Sequence, residues 1–363
     1  MRWLVAALVA ASVWGCAPSF SDGFERSRSA ALRAYGAGRY LESAAHWERV
    51  AEEAPNARQR YEALYRAAAA YKRGRRHDQA RALLTRLLTE APNTARAPRA
   101  AYDLADLQIE MGNEAAGYAQ MAQVIERYPA HAASALSRSL TWLEETQGLP
   151  AARGWLESQI SKHGDGPLGE RLHYSYARLL ATMGEREQAV RRYLWVADRY
   201  PYPKGALWDD SLFHAAELKV ELGQPREAIA LLERMLRERE PSSLSGSYER
   251  PRYGESQHRI AVLYRDALNQ PMEAARAFRE LRLGFPHHVL RDDAAWEEAK
   301  IHHARGDRRA ACSAMRWLRD NDPKSRYAAC AGLVCEDLPP LSQSCRPYIA
   351  RQLQPEAEAE ERP

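Results

Sequence analysis

Phenylalanine is scarce in this chain, with 5 among 363 residues, and no convincing run of alternating β-branched residues occurs. A sheet needs such alternation to lay one face on a core, so the expected class is all-α. The recurring Ala, Leu, Arg and Glu agree, because they lose little side-chain freedom in a helix. Neither sign of charge is in large excess, since 52 basic and 48 acidic residues leave +4. Nucleic-acid binders carry a concentrated basic face, and nucleic acid is not an expected partner. Also missing are a Gly-x-Ser-x-Gly elbow, a phosphate-binding glycine loop, a His-Glu-x-x-His pair and a Cys-x-x-Cys pair. The expectation is a protein that is not an enzyme and has no cofactor, no metal and no small-molecule substrate. His287-His288 and His302-His303 are set to flank opposite ends of one helix, ~20 Å apart at ~1.5 Å per residue. One ion cannot take both pairs.

Long hydrophobic runs are absent too. Met1-Arg2 and the apolar stretch Leu4 to Val13 fall short of the ~20 residues that span a bilayer, so residues 1–15 read as a signal peptide. The ending Val13-Trp14-Gly15-Cys16 resembles a bacterial lipobox. That resemblance implies a lipid on Cys16, and Ala17 in place of Asp implies sorting to the outer membrane of a Gram-negative cell, facing the periplasm. Residues 16–24 then read as a tether. Farther on, Lys72-Arg73-Gly74-Arg75-Arg76-His77 reads as a solvated turn between helices. With two or three such clusters near an anchor, it would instead read as contact with anionic lipid or lipopolysaccharide.

What the chain does have is a period. The gaps Pro55 to Pro92, Pro92 to Pro129 and Pro286 to Pro323 are each 37 residues. Twelve residues before the prolines at 92, 129, 201, 286 and 323 stand Ala80, Gly117, Ala189, Ala274 and Ala311, all small. Eight before them, counting Pro55 as well, stand Trp47, Leu84, Met121, Tyr193, Phe278 and Met315, and five before stand Val50, Leu87, Val124, Val196, Leu281 and Leu318. Small, bulky, aliphatic on successive turns is one buried stripe. A partner helix precedes each, ended by Gly38, Gly74, Gly112, Gly184, Gly223 or Gly306, or by Asn269, residues that tolerate the left-handed conformation. Seven before those glycines comes an alanine, while before Asn269 it is Val262, beside Ala261. That unit is out of register.

The pattern resembles the tetratricopeptide repeat. The endings Arg127-Tyr128-Pro129, Arg199-Tyr200-Pro201 and Gly284-Phe285-Pro286 are similar to repeats in periplasmic proteins. Two such families are the lipoprotein subunit of the outer-membrane β-barrel assembly machine and the cell-division coordinator linked to the Tol-Pal system. The implied architecture is a right-handed superhelical solenoid of about eight helix pairs over residues 25–323, with an insertion loop about 241–253. The implied work is non-catalytic: a scaffold binding envelope proteins or peptides, with a secretin pilotin or motility or cell-division lipoprotein as the alternative and a peptidoglycan-acting accessory protein behind both. In such stacks the first helix of each pair lines the groove. The resemblance therefore implies a partner groove of Leu64, Tyr102, Tyr174, Phe213 and Trp296, ten residues before the turn glycines, with the mixed-charge row Asp106, Arg178, Glu217 and Lys300 one turn on. That charged row is expected to have no structural duty.

Cysteines are few, and apart from Cys16 they are Cys312, Cys330, Cys335 and Cys345. An even number crowded into an exported segment reads as two disulfides. Three pairings are open, and antiparallel packing across the Pro323 turn favours Cys312–Cys330 with Cys335–Cys345. Zinc spacing is matched poorly. Residues 324–350 read as a stapled cap on the last repeat, and residues 351–363 as a disordered acidic tail.

Overall fold

The computed structural model describes residues 21–238, 251–339, 341 and 343–353. The signal peptide, Cys16, most of the tether, residues 241–250 of the insertion and residues 354–363 of the tail lie outside the described residues. Within them the protein is helical, with eighteen α-helices and no strand. Sixteen of these make eight successive pairs. Residues Met1–Gly169 and Glu170–Pro363 form two compact units.

The first unit holds α1 (Asp22–Gly36), α2 (Tyr40–Glu52), α3 (Ala57–Arg73), α4 (His77–Glu90), α5 (Ala97–Glu110), α6 (Glu114–Arg127), α7 (Ala133–Thr146) and α8 (Leu149–His163). The second holds α9 (Gly169–Thr182), α10 (Arg186–Arg199), α11 (Trp208–Glu221), α12 (Pro225–Arg237), α13 (Pro251–Val262), α14 (Pro271–Gly284), α15 (Arg291–Ala304) and α16 (Arg308–Asn321). Short helices α17 (Ala331–Val334) and α18 (Pro347–Ala350) follow. The solenoid therefore starts at Asp22, inside the expected tether, and Pro251–Tyr253, expected in the insertion loop, is the first turn of α13.

The periodic stripe is the core. Every bulky and aliphatic residue counted back from the prolines is buried, as are Ala80, Ala189, Ala274 and Ala311. Gly117 stands where a Cβ would lie 2.4 Å from Ile109 Cγ1 and 2.9 Å from the Ala105 carbonyl, so no larger residue fits between α5 and α6. The turns close by a recurrent bond in which the amide two residues past the C-cap reaches five residues back: Arg39 to Ala34, Asn113 to Gln108, Glu185 to Leu180, Gln224 to Lys219 and Asp307 to His302. Such a bond needs one left-handed residue just before the donor. Gly38, Gly112, Gly184, Gly223 and Gly306 supply it with φ between 71° and 85°.

One turn departs from the expected register, and the cause of a second, expected to be out of register, is visible. In the second pair Arg76 donates to Tyr71, and the left-handed residue is Arg75 (φ 56°) rather than Gly74 (φ −79°). Gly74 is needed for space instead, because a Cβ there would lie 2.5 Å from Leu41 Cδ2 of α2. In the seventh pair Gln270 reaches six residues back, to Tyr264, across the π-helical turn Leu263–Ala267. One extra residue is absorbed there. The small position thus falls on buried Ala261, not on Val262.

The described residues between 327 and 353 cover the end of the last pair. Tyr327, Ala331, Val334 and Ile349 pack on Trp296, Met315 and Leu318. Trp296 stacks on Tyr327 at 5.3 Å between ring centres and donates its indole N–H to Gln352 Oε1 at 2.8 Å. The ordered cap therefore runs into residues 351–353, expected to be tail. The favoured disulfide pairing is corrected: Cys312 is bonded to Cys335 (Cα–Cα 5.1 Å) and Cys330 to Cys345 (4.6 Å). The expectation assumed a full antiparallel helix after Pro323. Instead one 3-10 turn, Ala328–Cys330, leads into the single turn of α17, which carries Cys335, not Cys330, to Cys312.

Candidate functional site

The first helices of the pairs (α3, α5 and α7 in one unit; α9, α11, α13 and α15 in the other) each keep a half-exposed polar stripe. In the first unit this stripe is cross-linked. Tyr65 donates to Asp103 at 2.7 Å, and burial followed by that carboxylate pushes its hydroxyl up to about 12. Lys72 donates to Asp106 and pairs with Glu110 at 3.1 Å, while Arg138 of α7 pairs with Asp106 from the other side. Burial pulls the Lys72 ammonium down, but the bonds to these two carboxylates win and hold it above its ordinary value. Asp106 is thus the bridge of a three-helix ladder.

In the second unit Arg259 of α13 grips Glu217 of α11 with two bonds of 2.7 and 2.8 Å. Arg252 donates to Asp210 at 2.9 Å and lies over the Phe213 ring at 4.5 Å. His214 sits among Tyr174, Tyr193 and Phe213. Burial first, then the Arg252 charge, lowers its pKa, so the ring is neutral near pH 7. Lys300 pairs with Glu297 at 2.7 Å, and Glu297 also receives Arg265. Arg178 and Thr182 of α9 are exposed.

This geometry corrects the expected groove. Leu64, Phe213 and Trp296 are buried core residues and offer no partner a surface. Asp106, Glu217 and Lys300 do have a structural duty, in ion pairs. Tyr102 and Tyr174 remain half-exposed, the first under the Arg99 guanidinium at 5.2 Å. Leu64 was reached by counting from Gly74. Counting from Arg75, the true left-handed residue, gives Tyr65, in register with Tyr102, Tyr174, Phe213 and Trp296. Arg138, Arg259 and His214 carried no sequence signal, and Lys72 was legible only as part of the basic run 72–77, not as a partner of Asp106.

No catalytic constellation forms from the residues singled out. The two histidine pairs lie at opposite ends of α15. Among the described residues one trio of close ligand atoms occurs, Cys312, Cys335 and Asp337. Both of its sulfurs are used in a disulfide, which leaves no thiolate for an ion. No described helix is long and apolar enough to cross a membrane.

The family model described as tetratricopeptide repeat matches residues 62–94, 99–131 and 210–243. These windows correspond to pairs α3/α4, α5/α6 and α11/α12. No curated protein matches the sequence. Among solved structures, a tetratricopeptide repeat protein from Parabacteroides merdae is similar at 14% identity and a TM-score of 0.37, over 76% of this chain and 98% of that one. PilF of Pseudomonas aeruginosa is similar at 16% and 0.38, over 64% and 95%. YrrB, described as a TPR protein with an unusual peptide-binding site, is similar at 14% and 0.36, over 60% and 98%. Three helix pairs of the chain thus match the tetratricopeptide repeat, a fold that is typically a non-catalytic interaction scaffold.

Proposed function

We propose that the protein is an envelope scaffold, a lipoprotein anchored at Cys16 and facing the periplasm from the outer membrane, that holds a peptide segment of another protein on the first-helix stripe of its second unit. The observation that carries the binding reading is the state of that stripe. Tyr174, Arg178, His214 and Glu217 recur at helical spacing, and Arg259 and Arg252 fix the two acidic neighbours in place. A side chain already held by a neighbour loses less freedom when a ligand arrives, so a partner binds at lower entropic cost. Aromatic edges supply contact area and the charges select by complementarity. The Val13-Trp14-Gly15-Cys16 ending supports the anchor.

The test places a photo-crosslinking residue at position 178 of α9 and, separately, at position 191 on the exposed side of α10. In envelope extract, position 178 should give one discrete protein adduct and position 191 none. Equal adducts from both positions, or none from either, would sink the reading. The anchor is tested apart from binding, by mass spectrometry of the mature N-terminus. Diacylglycerol on Cys16 is expected, and an unmodified thiol contradicts it.

A further inference from the structure

We infer that the first two repeats form a docking surface for an anionic phospholipid bilayer, centred on the α3–α4 turn. Three independent observations point there. The first is charge distribution: residues 22–90 hold fourteen cations against nine carboxylates, a surplus of five that exceeds the +4 of the entire chain. The rest of the protein is nearly neutral. The second is pairing. Arg73, Arg75 and Arg76 in the turn, with Arg26, Arg33 and Arg49 on α1 and α2, are exposed and have no carboxylate partner among the described residues. By contrast Arg39, Arg60, Arg66 and Lys72 are paired. Arg26, Arg33 and Arg49 line one cleft between α1 and α2 together with His46 and the carboxylates of Glu25 and Glu53, so that three cations there face two anions.

The third observation is conformational. Arg75 occupies the left-handed position that other turns give to Gly38, Gly112, Gly184, Gly223, Gly306 or Asn269. A residue with a Cβ is strained there, and an arginine gains no local hydrogen bond of the kind that offsets the strain for Asn. Among the described residues no carboxylate pairs with the guanidinium placed there, and an anionic surface would.

A bilayer fits better than an acidic peptide because the unpaired cations do not share one site: Arg73, Arg75 and Arg76 sit in a turn, while Arg26, Arg33 and Arg49 lie apart from them on α1 and α2, beside Glu25 and Glu53. Each then meets a separate headgroup phosphate. The inference deepens the lipoprotein reading and rests on it for nearness: the five residues between Cys16 and Asp22 reach at most ~20 Å, which keeps α1 beside the membrane.

The experiment uses residues 17–363, which retain every described helix, and sedimentation with vesicles of phosphatidylglycerol and phosphatidylethanolamine, or of phosphatidylcholine alone. Binding should favour the anionic vesicles and fade as salt rises. Each surface cation contributes about fivefold to the partition coefficient. Arg75→Gly should therefore lower partitioning roughly fivefold while leaving the unfolding midpoint unchanged or raised, and the triple variant Arg73→Gln/Arg75→Gly/Arg76→Gln should lower it on the order of a hundredfold. A control triple variant at the α15–α16 turn, Arg305→Gln/Arg308→Gln/Arg309→Gln, should bind as the wild type does. Equal binding to both vesicle types, an unaffected turn variant, or an equal loss in the control would overturn the inference. So would polyglutamate binding at the turn in place of vesicle binding, which would assign it to an acidic protein. Because this chain carries no lipid, failure here leaves the Cys16 reading intact, and an unmodified Cys16 leaves vesicle binding measurable.

Discussion

Glu298 of α15 is the residue whose loss should be felt most in the second unit. Its carboxylate accepts from Arg282 of α14 at 2.5 and 3.2 Å, with both side chains only 4% exposed. The same guanidinium lies 4.8 Å from the centre of the Trp317 ring of α16. One ion pair thus ties three consecutive helices where water cannot replace a missing partner. Glu298→Ala leaves a desolvated guanidinium without its counter-charge, which costs about 3–5 kcal/mol. Replacing both partners, Arg282→Met with Glu298→Leu, removes the charge together with its need, and should fall within about 1 kcal/mol of wild type. Urea unfolding followed by far-ultraviolet circular dichroism and by tryptophan fluorescence gives the free energies, and the double-mutant cycle isolates the coupling. Additive single and double effects would refute the reasoning, since they would mean that the pair is not a unit. A cost below about 1 kcal/mol for Glu298→Ala would place the pair with the exposed bridges instead.

Other outcomes follow from the same geometry. Peptide mapping without reduction should recover Cys312 joined to Cys335 and Cys330 to Cys345. Breaking the second bond, which closes 15 residues, should cost about 3 kcal/mol, and a Cys312–Cys330 fragment would contradict the cap. Burial holds both His214 and His258 below the ordinary histidine value, helped by Arg252 for the first and by His288 for the second. The unfolded chain then takes up the proton first. Stability should fall as pH drops below about 6.5, by no more than about 1.4 kcal/mol per pH unit for each ring. His214→Gln should flatten that slope; an unchanged slope in the double variant with His258→Gln would show that neither ring is responsible.

Much of the repeat was legible because it rests on steric rules that act within one helix. Ala189, Tyr193 and Val196 announce a buried stripe by size and spacing alone, and Gly112 or Gly184 announces a left-handed stop. Reading failed where a residue served two needs. Gly74 looks like a stop, yet it is glycine for the sake of Leu41, so the register slipped by one and Leu64 took the place of Tyr65. The unit before Asn269 was legible as out of register, but its cause, the π-helical turn Leu263–Ala267, was not. The charged stripe misled for another reason: Asp106 meets Lys72 and Arg138 from neighbouring repeats 34 and 32 residues away. No local pattern distinguishes a charge with such a partner from a free one. The disulfide pairing depended on the length of a helix after Pro323 that the sequence does not encode as a full pair.

The claim that the second unit holds a peptide on its first helices can be tested with the pure protein. Twelve-residue peptides selected from a displayed random library on the intact chain supply the ligand, and hydrogen–deuterium exchange with and without the tightest of them supplies the map. Added protection should fall on α9, α11 and α13 around Tyr174, Arg178, His214 and Glu217, and should be lost with Arg178→Glu. Failure to enrich any peptide, or protection confined to α10, α12 and α14, would contradict the claim.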